Sequence, residues 1–258
     1  PYQDCLFKHV TVALSEDDPD WIALEQAIMV NRCPGGAIRG VHVENAGKQK
    51  TSEEGDAYQK RFDQRLAEVG MEGKYFLRQG EPTSALLEFS LLSDLLVLKL
   101  SHPPSTSLME RMSHGIITIL HQSRRPVLFV KETPLPVSSV LLPFGEGQPS
   151  KEALYVAAYY SARYGSQLNL LMVSRQAEKD EALSTYAHTY LEKLGVNASY
   201  SWSSPESFTT DVVSQVEALG VSMLILGGDE YSSILDRVFS QEIDEILTKV
   251  KIPVMICQ

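Results

Sequence analysis

The feature that most restricts how this chain can fold is that it repeats itself. The stretch "VTVALSEDDPDWIALEQAIMVNRCPGGAIRGVHV" (10–43) has the same plan as "VLLPFGEGQPSKEALYVAAYYSARYGSQLNLLMV" (140–173). Each is an apolar run, a loop rich in acidic, Gly, Pro and Ser residues, a segment of helical length, a Gly, and a second apolar run. Further on, "SDLLVLKL" (93–100) answers "VSMLILGG" (221–228), and "RRPVLFV" (124–130) answers "KIPVMIC" (251–257). The repeating unit is therefore about half the chain, far longer than the roughly 20–50 residues of a solenoid repeat. Two domains are expected, 1–133 and 134–258, with the proline-bearing "KETPLPVSS" (131–139) as the linker.

Within each half, strand and helix signals alternate. The first half predicts strands at 8–14, 37–43, 74–78, 94–99 and 126–130, with helices at 19–32, 53–69, 83–92 and 107–122 between them. The second predicts strands at 138–143, 167–173, 197–202, 222–226 and 253–257, with helices at 149–164, 177–194, 207–219 and 233–248. "LLVLKL" and "MLILGG" are continuous apolar runs of strand length, the pattern of parallel strands covered by helices on both faces. The segment "SEEGDAYQKRFDQRLAEVG" (52–70) places Tyr58, Phe62 and Leu66 at i, i+4 and i+8, so a helix there turns one apolar stripe to the sheet. The fold class is α/β, two three-layer domains with right-handed crossovers. Sheets of this type bind ligands outside the carboxyl ends of their strands, where the strand order reverses.

Charge and composition then exclude several functions. The net charge is −10, from 23 Lys and Arg against 33 Asp and Glu. A surface of that sign repels nucleic acid and anionic membranes. No apolar stretch approaches the roughly 20 residues of a membrane span. Cys5, Cys33 and Cys257 form neither a disulfide set nor, with histidines, a metal-ligand cluster, so a reducing cytoplasmic setting without a metal is expected. A chain that begins with Pro1 and reaches a strand signal within a few residues fits a fragment of a longer polypeptide or a processed product.

The two halves resemble universal stress protein domains, and the resemblance covers nearly the whole length as a tandem pair. It implies flavodoxin-like, Rossmann-like five-stranded sheets of order 3-2-1-4-5 and a last strand written roughly P-V-L-V-V. Pro126 to Val130 and Pro253 to Cys257 match that strand. It also implies, in nucleotide-binding members, an Asp at the end of the first strand and a loop G-x2-G-x9-G-[ST] after the fourth. Here the chain departs. In the second half the spacing survives as Gly227, Glu230 and Ser240, followed by Gln241, with Gly228 beside the first glycine. In the first half, "KLSHPPSTSLMERMSHG" puts Lys99 and His102 at the first two glycine positions and Met112 or Ser113 at the third. Ser15 and Gly145 stand where the first-strand Asp would be.

Those departures carry a physical meaning. Glycines in such a loop let backbone N–H groups approach phosphate oxygens without a β-carbon between them. A carboxylate such as Glu230 about 4 Å from a phosphate charge is repelled by ~1–4 kcal/mol. In the first half Lys99, His102, Ser113 and His114, with the hydroxyls of Ser105, Thr106 and Ser107, offer side-chain contacts to an anion instead. Against that, Pro103 and Pro104 remove two N–H donors, and Ser107 with Glu110 spells a capping box. Glu16, Asp17, Asp18 and Asp20 read as an acidic turn complementing a helix dipole rather than a cation site. His42 reads as a satisfied core or edge histidine, and no spacing builds a Ser–His–Asp triad.

The expected function is a non-catalytic regulatory or interaction module without ordinary ATP binding and without a cofactor. Its partner is a protein or a second copy of itself as a homodimer, and the two halves pair through their apolar last strands. The family occurs both as free cytoplasmic proteins and as soluble tails of larger proteins, including transporters. The alternative is a stress-response sensor that binds ATP or AMP through the first domain at Lys99 and His102.

Overall fold

The computed structural model describes residues 5–15, 18, 20–44, 52–100, 115–175, 180–228 and 241–258. The chain divides into two compact units, the first ending at Pro134 and the second beginning at Leu135. The first contains β1 (His9–Leu14), α1 (Ile22–Val30), β2 (Ala37–Glu44), α2 (Ser52–Glu68), β3 (Glu72–Gln79), α3 (Pro82–Ser90), β4 (Leu95–Lys99), α4 (Ile116–Gln122) and β5 (Val127–Val130). Its sheet runs β3-β2-β1-β4-β5, every pair parallel. The second contains β6 (Ser139–Phe144), α5 (Gln148–Tyr164), β7 (Gln167–Val173), α6 (Glu181–Leu194), β8 (Ala198–Ser203), α7 (Phe208–Leu219), β9 (Met223–Gly227), α8 (Gln241–Lys249) and β10 (Val254–Cys257). Its strands lie in the corresponding order, β10-β9-β6-β7-β8, again all parallel. This is the expected α/β architecture with strand order 3-2-1-4-5 in each unit. The order reverses between β1 and β4 in the first unit and between β6 and β9 in the second.

The elements form for reasons already visible in the residues. In β4 Leu95 to Leu98 are buried, as a strand with helices on both faces requires. The stripe on α2 faces the sheet as its period dictates, with Phe62 at 0% and Leu66 at 3% exposure. The sheet yields space for it. A Cβ on Gly40 would lie 2.6 Å from Phe62 Cε2, and one on Gly73 would meet the Leu66 side chain and Ile38 O, so both strands come up against α2 through glycine. Arg65 on the same helix holds Glu25 of α1 with two hydrogen bonds of 2.6 and 2.7 Å. Asp94, just before β4, accepts from Lys8 N–H and His9 N–H at 3.1 and 2.8 Å and so fixes β4 beside β1. In the second unit α5 buries Ala153, Leu154, Ala157, Ala158 and Tyr160, and it stops at Gly165, whose φ of 71° is the left-handed turn that ends a helix.

Several boundaries differ from expectation by one to three residues. Helix α1 begins at Ile22 rather than 19, because Trp21 is left-handed (φ 53°, ψ 45°) and Asp18 caps the helix from outside it. Strand β3 runs from 72 to 79 rather than 74 to 78, because it pairs with the whole of β2. A short 3₁₀ turn, Pro205–Ser207, precedes α7. The expected helices 107–122, 177–194 and 233–248 are seen over their described parts as α4, α6 and α8.

Helix α3 yields a pH-dependent prediction. Its N-cap is Glu81, whose carboxylate accepts from Thr83 N–H at 2.8 Å and Ser84 N–H at 2.7 Å. Partial desolvation opposes the ionised form, but these hydrogen bonds outweigh it and lower the Glu81 carboxyl from 4.5 to about 2. A depressed carboxyl stabilises the fold above its unfolded value and ceases to do so as pH falls through the folded one. Urea unfolding of the parent chain is therefore expected to weaken between pH 4.5 and 2, and Glu81→Gln to remove part of that slope. Identical slopes for parent and variant would contradict it.

Candidate functional site

Both reversal points lie at the carboxyl ends of the strands, and in each unit the described residues there engage one another. In the first unit β1 delivers Ser15 and β4 delivers Lys99. The chain turns at once, as Asp18 N–H donates to Ser15 O at 3.1 Å and Trp21 N–H to Asp18 O at 2.9 Å. That turn swings the Asp18 carboxylate inward, where its side chain is 2% exposed. Oδ2 accepts from Ala23 N–H at 3.0 Å and caps α1. Oδ1 stands 3.3 Å from Lys99 Nζ, whose side chain is 16% exposed. The contact is coulombic: Oδ1 makes no aligned hydrogen bond. The cation that the sequence offers to an anionic ligand thus already faces an anion of its own unit.

Beside this pair lies an aromatic group that sequence reasoning did not assemble. Trp21 and Tyr58 have ring centroids 5.7 Å apart, Tyr58 and His42 4.9 Å, and the Arg61 guanidinium stands 4.2 Å over the Trp21 ring. His42 is buried with its Nδ1 3.0 Å from Leu14 O, the satisfied histidine that was expected. Burial, followed by the charge of Glu44 and then Tyr58, pushes the Tyr75 hydroxyl up to about 12, so it stays neutral at physiological pH.

In the second unit the described contacts at the same place are backbone and hydroxyl ones. Gly145 follows β6, and its N–H donates to Ser150 Oγ at 2.8 Å, which bends the chain straight into α5. The first turn of that helix then lies on β9. A Cβ on Gly227 would stand 2.6 Å from Ser150 N and 2.7 Å from Pro149 C, closer than real Cβ atoms come to backbone. Gly227 has no left-handed φ to accommodate, so its lack of a side chain serves this close approach. Gly228 donates to Cys257 O at 2.7 Å and continues the pairing of β9 with β10. Around the mouth, Phe144 stacks on Tyr186 at 6.1 Å and Lys151 Nζ lies 5.2 Å over the same tyrosine. Desolvation, then the hydrogen bond with Tyr155, raises the Tyr186 hydroxyl to about 12.

Of the nine residues singled out from sequence, Ser15, Lys99, Gly145, Gly227 and Gly228 do stand at these two reversal points. His102, Ser113, His114 and Ser240 lie outside the described residues, as do Glu230 and the Ser107–Glu110 capping box. Asp18 and Ser150 are the residues missed. Asp18 was legible only as part of an acidic turn, because its partner Lys99 ends a neighbouring strand that is distant in sequence, and Ser150 reads in sequence as an ordinary residue of a helix's first turn. Among the described residues no group of three or more His, Cys, Asp or Glu side chains is placed to hold a metal ion.

At the level of sequence, no family model and no curated protein matches the chain. Solved structures do. A universal stress protein from Archaeoglobus fulgidus superposes with a TM-score of 0.72 at 16% identity, over 98% of this chain and 96% of that one. A protein of unknown function from Pseudomonas aeruginosa gives 0.71 at 13% identity, over 97% and 92%. The fold is therefore the universal stress protein fold, shared over both units.

Three substitutions test these geometries by urea unfolding. Gly227→Ala drives a methyl into the backbone of α5 and is expected to cost about 2 kcal/mol or more, whereas Gly228→Ala, whose Cβ would stand 3.0 Å from Cys257 O, costs less. Asp18→Ala removes a cap and leaves Lys99 without this counter-charge, for a loss of roughly 3 kcal/mol. Equal stabilities for the two glycine variants, or an unaltered Asp18→Ala chain, would contradict this account.

Proposed function

We propose that this chain is a non-catalytic regulatory or interaction module on the universal stress scaffold, one that does not bind ATP in the ordinary way. The observation that carries the reading is the 3.3 Å ion pair between Lys99 and the buried Asp18 at the first reversal point. A phosphate approaching Lys99 would have to displace a carboxylate that α1 needs as its cap, or lie beside it and be repelled. The tight seat of α5 on Gly227 supports the same conclusion in the second unit, since the glycine is engaged by protein backbone. In sequence, Glu230 stands three residues after Gly227 and carries the same sign of charge as a phosphate.

The module acts in this reading through its surfaces, toward a protein partner or a second copy, in the cytoplasm. Among the described residues no helix is long and apolar enough to cross a membrane. The alternative, a sensor that takes ATP or AMP through the first domain, keeps one point in its favour: Lys99 is still a cation at the carboxyl end of β4.

Calorimetric titration with ATP, ADP and AMP, each with Mg²⁺ and at millimolar concentration, decides between them. No saturable heat is expected. Micromolar affinity that disappears in Lys99→Ala would establish the sensor and defeat the proposal.

A further inference from the structure

Within the first unit β3 pairs only with β2, and it is a long outer strand. Glu72, Gly73, Lys74, Leu77, Arg78 and Gln79 are all exposed, with Leu77 at 39%. The last rung of its ladder tells which way its backbone points. Gly80 N–H donates to Glu44 O at 3.0 Å, and Glu44 is aligned with Gln79. Residues 72, 74, 76, 78 and 80 therefore turn their N–H and C=O groups toward β2, and Gly73, Tyr75, Leu77 and Gln79 turn theirs outward. A row of unpaired groups on such an edge is a template for another strand.

We propose that two copies of the chain join along β3, antiparallel, about a two-fold axis at Tyr75. This goes beyond the functional reading above and does not depend on it. The outward groups restrict the register, because odd residues of one copy must face odd residues of the other. An axis at Tyr75 sets Tyr75 against Tyr75 and Gly73 against Leu77 as hydrogen-bonded pairs, and Glu72 against Arg78 and Lys74 against Phe76 between them. Each contact except that of Tyr75 with Tyr75, which lies on the axis, occurs twice and is complementary. Glu72 meets an opposite charge, and no ion pair among the described residues engages it already. Lys74 lies over an aromatic ring, as it does within its own strand, where Nζ is 5.2 Å from the Phe76 ring. The exposed Leu77 covers a glycine.

The neighbouring registers are worse. An axis at Phe76 faces Lys74 with Arg78, and one at Lys74 faces that lysine with itself, both like-charge contacts. An axis at Leu77 keeps a Phe76–Arg78 contact, but its ladder runs out at Gly80, which leaves strand geometry with a φ of 132°. The axis at Tyr75 uses the strand from Glu72 to Arg78. The corresponding outer strand of the second unit, β8, reads "ASYSWS" and carries no charge to select a register. The charges on β3 thus disfavour indiscriminate pairing; an axis at Gly73 would also face opposite charges, Glu72 with Lys74, but it runs off the start of β3, so the axis at Tyr75 is the complementary mode that uses the strand. A single strand edge is smaller than the roughly 800 Å² per partner of a stable interface, so the dimer forms in the micromolar range.

Sedimentation velocity of the full chain across micromolar concentrations tests this. The parent is expected to dimerise, Glu72→Arg to weaken the dimer about tenfold or more, and Glu72→Arg with Arg78→Glu to recover it. Leu77→Pro removes an outward N–H that β2 does not use, and is expected to give a monomer with an unchanged circular dichroism spectrum. A parent chain that stays monomeric, a dimer indifferent to Glu72→Arg, or a failure of the charge swap to restore pairing would each overturn the proposal. The charge swap remains decisive should the proline variant not fold.

Discussion

One carboxylate, that of Asp18, holds together the described part of the first unit's reversal point. Its two oxygens serve two elements: one ends the row of unpaired N–H groups at the start of α1, and the other balances the Lys99 charge at the end of β4. To bring the group inward the loop turns sharply, and Trp21 takes a left-handed backbone conformation that a bulky residue seldom adopts. That local strain is held because the Trp21 ring is then buried, with Tyr58 beside it and Arg61 above. Cap, ion pair and aromatic packing are thus one arrangement, and no member of it is released without disturbing the others.

The second unit reaches a similar end by packing alone. Ser150 ties Gly145 to the start of α5, and the helix's first turn settles on a glycine of β9. Among the described residues, neither the Gly145–Ser150 bond nor the seat of the helix on Gly227 involves a charged side chain. The two units share a strand order and differ in the described contacts at the reversal point, an ion pair in one and a close backbone approach in the other.

Much of this was open to inspection in the residues. The repeat gave two units, alternating elements gave the parallel sheets, and the i, i+4, i+8 spacing of Tyr58, Phe62 and Leu66 gave the buried face of α2. What misled was local. The helical pattern extended α1 back to residue 19 because propensity carries no sign of a left-handed Trp21. Lys99 read as a candidate anion ligand because the carboxylate that faces it lies on another strand's loop, 81 residues away in sequence but 3.3 Å away in space.

The sequence by itself determined the class of fold, the number of units and the presence of polar side chains at the carboxyl ends of the strands, since periodicity and punctuation are short-range properties that each segment carries alone. Only the tertiary structure decided what those side chains do. Whether Lys99 meets solvent or Asp18, and whether Gly227 gives room to a ligand or to the backbone of α5, depends on which distant segments the sheet brings within a few ångströms, and electrostatic and steric forces act at that distance whatever the separation along the chain.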